Sequence, residues 1–435
     1  METHKKLKHI YVGIDCHKTT HTASIINAFN DELGNITFNN DKEGFNSLIK
    51  LVSENLTEGV TPVYGLEDCN HLGHALSSFL LAKSCFVKVV NATYTHSERQ
   101  NSPIISKTDK IDSSCLAKVT LDRLDKLPNA SNDDIYWTLK QLSKMRESIL
   151  NSNIVYKNKL HAQLLHHYPD YYKFFCAFDC TTALALWENY PNPNILKSVS
   201  ISEIEELICI SSKNYFKPSK VKYILDLVNN YDYATIDYQQ ERDILIKTLV
   251  RQIRYNKEQL KLIDMEINVV VQKTGYKLDT FIGIDKILSA KIISEVGNIG
   301  RFSSADKLAK YAGIAPISFS SGKKDKDVNN KYGNRTLNSY IYLVACVNIN
   351  PGCKNANKIC NPIFLDYYKK KLSEGKTKHQ AILQVMRRIT NIIYGMMKHR
   401  TEYVHPKVLN DKLQKLHRER IDNERQDAEN VEKEL

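Results

Sequence analysis

No run of apolar residues in this sequence of 435 residues reaches the ~18–20 that a membrane span needs, and a mean hydropathy of −0.40 agrees. Its ten cysteines are scattered, with no CxxC pair and no histidines at zinc spacing. That excludes a zinc ribbon and a disulfide framework and reads as reduced thiols in a cytosolic protein. Met1 to Lys6 is followed by no apolar stretch and no small-residue cleavage site, so a secretory signal is not expected. Repeats of fixed period are missing, as are the glycines of a Walker phosphate loop. What is there is globular: 42% apolar and 25% charged residues, in a chain too long for one core.

The net charge of +12 is unevenly spread. Residues 1–150 hold 17 basic and 18 acidic side chains, residues 151–275 hold 15 and 14, and residues 276–435 hold 29 and 17. The whole excess lies in the last third, where it marks either a solvated lysine-rich surface or contact with nucleic acid.

Four regions are expected: 1–130, 131–275, 276–400 and a charged tail at 401–435. In the first, strands at 10–14, 22–26 and 35–38 come in a row. Helix 43–51, strand 63–66, helix 71–81 and strand 86–90 follow. That order fits a mixed sheet with helices on its faces, and it is also the order of ribonuclease H-like nuclease folds. The second region is helical, with Ile135, Leu139, Leu142, Ile149 and Leu160 as an apolar stripe and short helices at 202–210 and 218–229. It ends in a heptad seam: Ile246, Leu249, Ile253, Asn256, Leu260, Ile263, Ile267 and Val270 step by three and four residues. Such a seam joins two copies of the chain or packs the helix on its own domain, and the polar Asn256 would fix its register. In the third region, residues 283–293 resemble a helix–hairpin–helix element whose glycine turn offers backbone N–H groups to a phosphate. Residues 372–399 are basic and helical, and the tail turns acidic after Ile421.

Carboxylates recur where strands end. Asp15 closes the first strand and Glu67 a later one. Asp109 and Asp112 open a helix three residues apart, on one face. Taken singly, each has a plain explanation as a turn residue, a surface pair or a helix cap. Taken together, they can hold two Mg²⁺ ions that clamp a phosphodiester during in-line displacement.

Val12-Gly13-Ile14-Asp15-Cys16-His17-Lys18 and Lys107-Thr108-Asp109-Lys110-Ile111-Asp112 together resemble the DEDD transposases of the one-ten (also one-sixteen and nine-oh-two) family of bacterial insertion sequences. The resemblance resumes at Tyr190-Pro191-Asn192-Pro193 and runs from Gly283 to about Lys398. It implies a RuvC-like, ribonuclease H-like α/β N-terminal domain, an α-helical and coiled-coil middle, and a mainly α-helical C-terminal transposase domain. The family's acidic tetrad falls on Asp15, Glu67, Asp109 and Asp112. Asp68-Cys69-Asn70 stand where small residues usually follow that glutamate.

Residues 313–324, Gly-Ile-Ala-Pro-Ile-Ser-Phe-Ser-Ser-Gly-Lys-Lys, show neither helical nor strand period and read as a loop. Lys323, Lys324, Lys326, Lys331 and Arg335 crowd behind it and can neutralise phosphates. From the residues alone, this is a flexible basic turn or a serine exposed for chemistry. The resemblance implies the second: the serine before the glycine, here Ser321 with Ser320 beside it, attacks DNA and forms a phosphoserine link. Lys331-Tyr332-Gly333-Asn334-Arg335-Thr336-Leu337 matches the family's downstream element, and Asn338 stands where the family commonly has arginine.

The expected protein is therefore a cytoplasmic, nucleoid-associated bacterial transposase that cleaves and exchanges DNA strands through a serine–DNA intermediate, with Mg²⁺ as cofactor. Family resemblance adds donor and target DNA, a non-coding bridge RNA as guide, and self-association as a dimer or tetramer. Lys107 joins the basic residues as a nucleic-acid contact. A RuvC-like endonuclease that uses water, and a non-catalytic nucleic-acid-binding protein, remain as alternatives.

Overall fold

Residues 9–16 are apolar at nearly every position, as a strand covered on both faces requires. In the computed structural model they form the centre of a five-stranded sheet. The structure describes residues 5–67, 72–100, 108–130, 135–230, 237–321, 324–328, 330, 333–350 and 361–404, with backbone alone over 317–328. The chain divides into two compact units, Met1–Asp134 and Ile135–Leu435.

The first unit runs β1 (His9–Cys16), β2 (Thr20–Ile26), β3 (Glu32–Asn39), α1 (Lys42–Glu54), β4 (Thr61–Glu67), α2 (His74–Ala82), β5 (Phe86–Val89), α3 (Ala92–Gln100) and α4 (Asp109–Asp122). Strand order is β3-β2-β1-β4-β5. The first three strands are antiparallel, and β1, β4 and β5 are parallel. Every expected strand is present, longer at one or both ends by one to three residues except β5, where Val90 lies just outside.

Alternation along β1 sorts its side chains. Ile10, Val12 and Ile14 share a core with Leu48 of α1 and with Leu76 and Leu80 of α2. Tyr11 packs with Ala117 and Leu121 of α4. Gly13 lies on the α4 side too. A Cβ there would stand 2.0 Å from the Ala117 backbone nitrogen and 2.3 Å from the Ser113 carbonyl oxygen. On β4, a Cβ at Gly65 would stand 1.9 Å from Thr120 Oγ1. Two bare strand positions thus let α4 rest on the sheet backbone. Ser113 Oγ fixes it there through a buried 2.7 Å hydrogen bond with Ser24 Oγ on β2.

The second unit contains α5 (Ile135–His167), α6 (Thr181–Asn189), α7 (Pro193–Ser198), α8 (Ile201–Ser212), α9 (Pro218–Asn229), α10 (Gln239–Thr274), α11 (Lys286–Val296), α12 (Ala305–Tyr311), β6 (Ile317–Ser321), β7 (Lys324–Val328), α13 (Arg335–Ile349), α14 (Pro362–Ser373) and α15 (Lys378–His399). Helices α5 and α10 run antiparallel. Leu139 shares a core with Ile267 and Val271, while Leu160 and Leu164 share another with Ile246, Val250 and Ile253. Arg146 Nε donates to Asp264 Oδ1 at 2.5 Å between these ends. The heptad seam is therefore occupied within the chain: Ile246, Ile253, Asn256 and Ile267 are all buried.

Two details differ from expectation. The basic helical stretch at 372–399 is two helices, because Thr377 caps α15 in a capping box with Gln380 and ends any continuation from α14. The loop expected at 313–324 becomes a β-hairpin, with Ile317 opposite Val328 and Ser321 opposite Lys324. The acidic tail after Ile421 lies outside the described residues.

Candidate active site

Strands β1 and β4 end side by side, with Asp15 directly opposite Glu67 in the parallel register. Both lie on the face that α4 covers, since Asp15 follows Tyr11 and Gly13 by steps of two. Thr108 starts α4: its Oγ1 accepts from the Ile111 backbone nitrogen at 3.3 Å. Asp109 and Asp112 then occupy the first turn, where the helix dipole favours negative charge. Asp112 is buried and Asp109 exposed.

His17, just past β1, completes the corner. Its Nε2 lies 3.1 Å from Asp15 Oδ2 and 3.5 Å from Asp109 Oδ1. One ligand atom each from Asp15, His17 and Asp109 lies within 4.8 Å of the others. Arg99 Nη1 donates to Asp112 Oδ1 at 2.5 Å. Burial pushes the Asp15 carboxyl above its ordinary pKa; Asp112, Asp109 and Glu67 push it further, and His17 opposes them. Three other carboxylates thus act on Asp15.

Of the four expected carboxylates, Asp15 and Asp109 converge directly, Glu67 stands beside Asp15, and Asp112 is held by Arg99. His17 and Arg99 were missed. A signal for His17 existed: two residues beyond Asp15 on an extended segment, it faces the same side. Arg99, on another helix, had none. Carboxylate oxygens with one imidazole nitrogen form a donor set that suits a divalent cation.

In the second unit, Ser320 and Ser321 lie on β6 and Lys324 and Lys326 on β7. Lys107, Lys323 and Lys331 lie outside the described residues. The root of the hairpin is firmly held. A Cβ at Gly333 would stand 2.3 Å from the Gly313 Cα, so the two chain segments cross backbone to backbone. Asn334 N donates to Tyr311 O at 2.7 Å. Asn338 Nδ2 donates to Ala312 O at 2.9 Å, a structural bond at the position where the resembled family commonly has arginine. Arg335 opens α13 exposed to solvent. The N-terminus of α11 is filled by its own cap, Asp285 Oδ1 accepting from Leu288 N at 2.7 Å, which adds negative charge where a phosphate was envisaged.

A mixed sheet of this order, with acidic residues at adjacent strand ends and on the helix laid over them, fits a ribonuclease H-like unit of the DEDD class, built for phosphodiester chemistry. Comparison with known proteins narrows this. A family model for the DEDD transposases of IS110 matches residues 12–169, and one described as Transposase IS116/IS110/IS902 family matches residues 275–358. Together they span more than half of the chain. The uncharacterised 42 kDa protein of insertion element IS900 from Mycobacterium paratuberculosis is 24% identical over 91% of this chain and 97% of its own length. The 44.8 kDa protein of IS116 from Streptomyces clavuligerus is 23% identical over 89% and 94%. A pilin gene-inverting protein of Moraxella bovis is 22% identical over 89% and 95%. The chain belongs to the IS110/IS116/IS902 family of transposases. It is an enzyme that moves DNA, and its DEDD domain implies use of a divalent metal. No helix among the described residues is long and apolar enough to cross a membrane.

Proposed function

We propose that this transposase cleaves and rejoins DNA through a covalent link to Ser321, guided by a bridge RNA that pairs with donor and target DNA. The observation that carries the metal-dependent part is the convergence of Asp15, His17 and Asp109 within 4.8 Å, beside Glu67. Asp15, Glu67, Asp109 and Asp112 would hold Mg²⁺, whose hard charge prefers carboxylate oxygen. The chemistry such an ion supplies when bound is neutralisation of charge that builds on the phosphoryl and leaving oxygens.

Ser321 Oγ attacks phosphorus, the bond to the 3′ oxygen breaks, and the serine proton passes to that oxygen. Attack by a 3′ hydroxyl of another strand reverses the step. The phosphodiester's bond energy is conserved, so exchange needs no nucleotide cofactor. Self-association as a dimer or tetramer is supported by a second stripe on α10, where Tyr255, Leu262 and Val269 recur every seventh residue and are 56%, 51% and 44% exposed.

A nicked suicide substrate analysed on a denaturing gel tests the chemistry. Wild-type protein with its RNA should leave a covalent adduct and Ser321→Ala none, while Ser320→Ala stays active. Cleavage without adduct would make the protein a water-using endonuclease. Metal-independent binding without cleavage would make it a non-catalytic binder.

A further inference from the structure

A cleft of about 850 Å³ opens in the second unit at the root of the serine hairpin. Pro316 and Asn330, the residues that lead into and out of the hairpin, are part of its wall. The floor is small and apolar: Ala312, Ile314 and Ala315 from the segment entering β6, with Leu383 from α15. The rim is cationic. Arg335 comes from the first turn of α13, Lys376 from just before α15 and Arg387 from α15 itself, which also contributes the imidazole of His379. Both helices begin beside the cleft, and α15 runs on along it through Leu383, Gln384 and Arg387. Among the described residues, no carboxylate lines it.

Arg387 donates through Nη2 to Asp306 Oδ1, and its Nη1 is buried with no acceptor among the described residues. Its charge is matched by Asp306, so Arg335 and Lys376 supply the positive potential of the cleft. Gln384 adds an exposed amide, the group that reads base edges.

An apolar floor, an amide and a rim of cations match the three parts of a nucleotide: base face, base edge and phosphate. The volume lies within the range of small-ligand clefts, roughly 300–1,000 Å³. A duplex keeps its bases stacked inside and presents phosphates on a convex surface, so only an unpaired nucleotide can enter. At about 3.4 Å per residue, five-residue β6 carries Ser321 some 14–17 Å along the hairpin, so a strand seated in the cleft reaches the serine within a few nucleotides.

We infer that this cleft seats an unpaired nucleotide of the DNA strand that Ser321 attacks, an inference that rests on the serine reading above. The test uses full-length protein and fluorescence anisotropy with three probes: a labelled single-stranded oligodeoxynucleotide, its RNA counterpart and the matching duplex. His379→Glu and Gln384→Glu place a carboxylate in the cleft at exposed positions, where folding is not at stake. Lys398→Glu, exposed in the last turn of α15, is the control and changes the net charge more than either.

Both cleft variants should weaken single-stranded DNA binding by about tenfold or more. Duplex binding should change much less, and Lys398→Glu should have little effect on either. Equal losses for Lys398→Glu, or equal losses for duplex and single strand, would reduce the cleft to general electrostatic attraction and overturn the inference. A loss confined to the RNA probe would also overturn it, because RNA would then be the occupant. Ser321→Ala separates the two readings. If it keeps the adduct while the cleft variants lose single-strand binding, the serine reading falls and the nucleotide seat stands. If it abolishes the adduct while the cleft variants bind normally, the seat alone falls.

Discussion

Arg99 and Asp112 form an ion pair at 2.5 Å in which both side chains are largely buried, 21% and 12% exposed. It places one guanidinium in a corner with three other carboxylates. Arg99→Gln should therefore lower metal-free stability by about 1.5–3 kcal/mol, the usual worth of a hydrogen bond to a charged group. Added Mg²⁺ should restore most of that loss by taking over the neutralising role. Chemical denaturation with and without the metal measures both quantities, and an unchanged midpoint would mean that the pair matters little to the fold.

Asp15 holds its proton above the ordinary carboxylate pKa of 3.8 because it is desolvated and faces three other carboxylates. The folded state then binds the proton more tightly than the unfolded one. Metal-free stability falls as pH rises through the folded pKa, and the cost is complete above it. Asp15→Asn removes that cost. The variant should be more stable than wild type near neutral pH without metal, and the difference should vanish below about pH 4. It should also lose the stabilisation by Mg²⁺, about 2.7 kcal/mol at a hundredfold excess over Kd, together with strand cleavage. Cleavage at wild-type rate would rule out Asp15 as a ligand.

His21 is fully buried on β2, its ring 5.5 Å from that of Phe38 and 6.2 Å from that of Phe45. Its Nδ1 accepts from the His17 backbone nitrogen at 3.3 Å, so the neutral ring helps position the site. Burial is the main cause holding its pKa below 6.5. The stability it contributes is present in full above pH 6.5 and is lost as pH falls through the folded pKa, at up to about 1.4 kcal/mol per pH unit. Urea titrations at pH 7 and pH 5 should show a steeper acid loss for wild type than for His21→Leu. Parallel acid limbs would refute this role.

Two faces of α10 should respond differently to a charge. Ile253 is fully buried and Leu262 is 51% exposed. Ile253→Asp buries an unpaired carboxylate and should unfold the second unit. Leu262→Asp should leave stability within about 0.5 kcal/mol and abolish self-association, read as a drop in mass by light scattering. An unchanged mass would clear the stripe of that role.

The first unit was readable because its central strands β1, β2 and β4 are buried on both faces, so residues such as Ile10, Val12 and Ile14 stand out from any polar background. The hairpin escaped notice for the opposite reason. Lys324-Asp325-Lys326-Asp327 is polar at every position, and alternation has nothing to reveal in such a strand. The heptad seam was legible as a helix face, but its partner was not, because α5 lies about a hundred residues upstream. The acidic residues were visible as strand ends and a helix start. Arg99 was not, because its pairing with Asp112 depends on how α3 meets α4, which no local spacing encodes. Asn338 likewise stood out only as a departure from the family's arginine until its bond to the Ala312 carbonyl explained the amide.

Helix α4 rests on the bare backbone of Gly13, so the separation of Asp15 from Asp109 is set by a residue with no chemistry of its own. One added methyl group would lift the helix and part the two carboxylates while leaving each intact. A copy of such an element bearing Gly13→Ala would keep every acidic residue, its serine and its lysines, and a genome survey that counts motifs would score it as live. Immobile copies can thus arise without a mark on the active site, and Gly13 and Gly65 are the positions at which a census of these elements would find them.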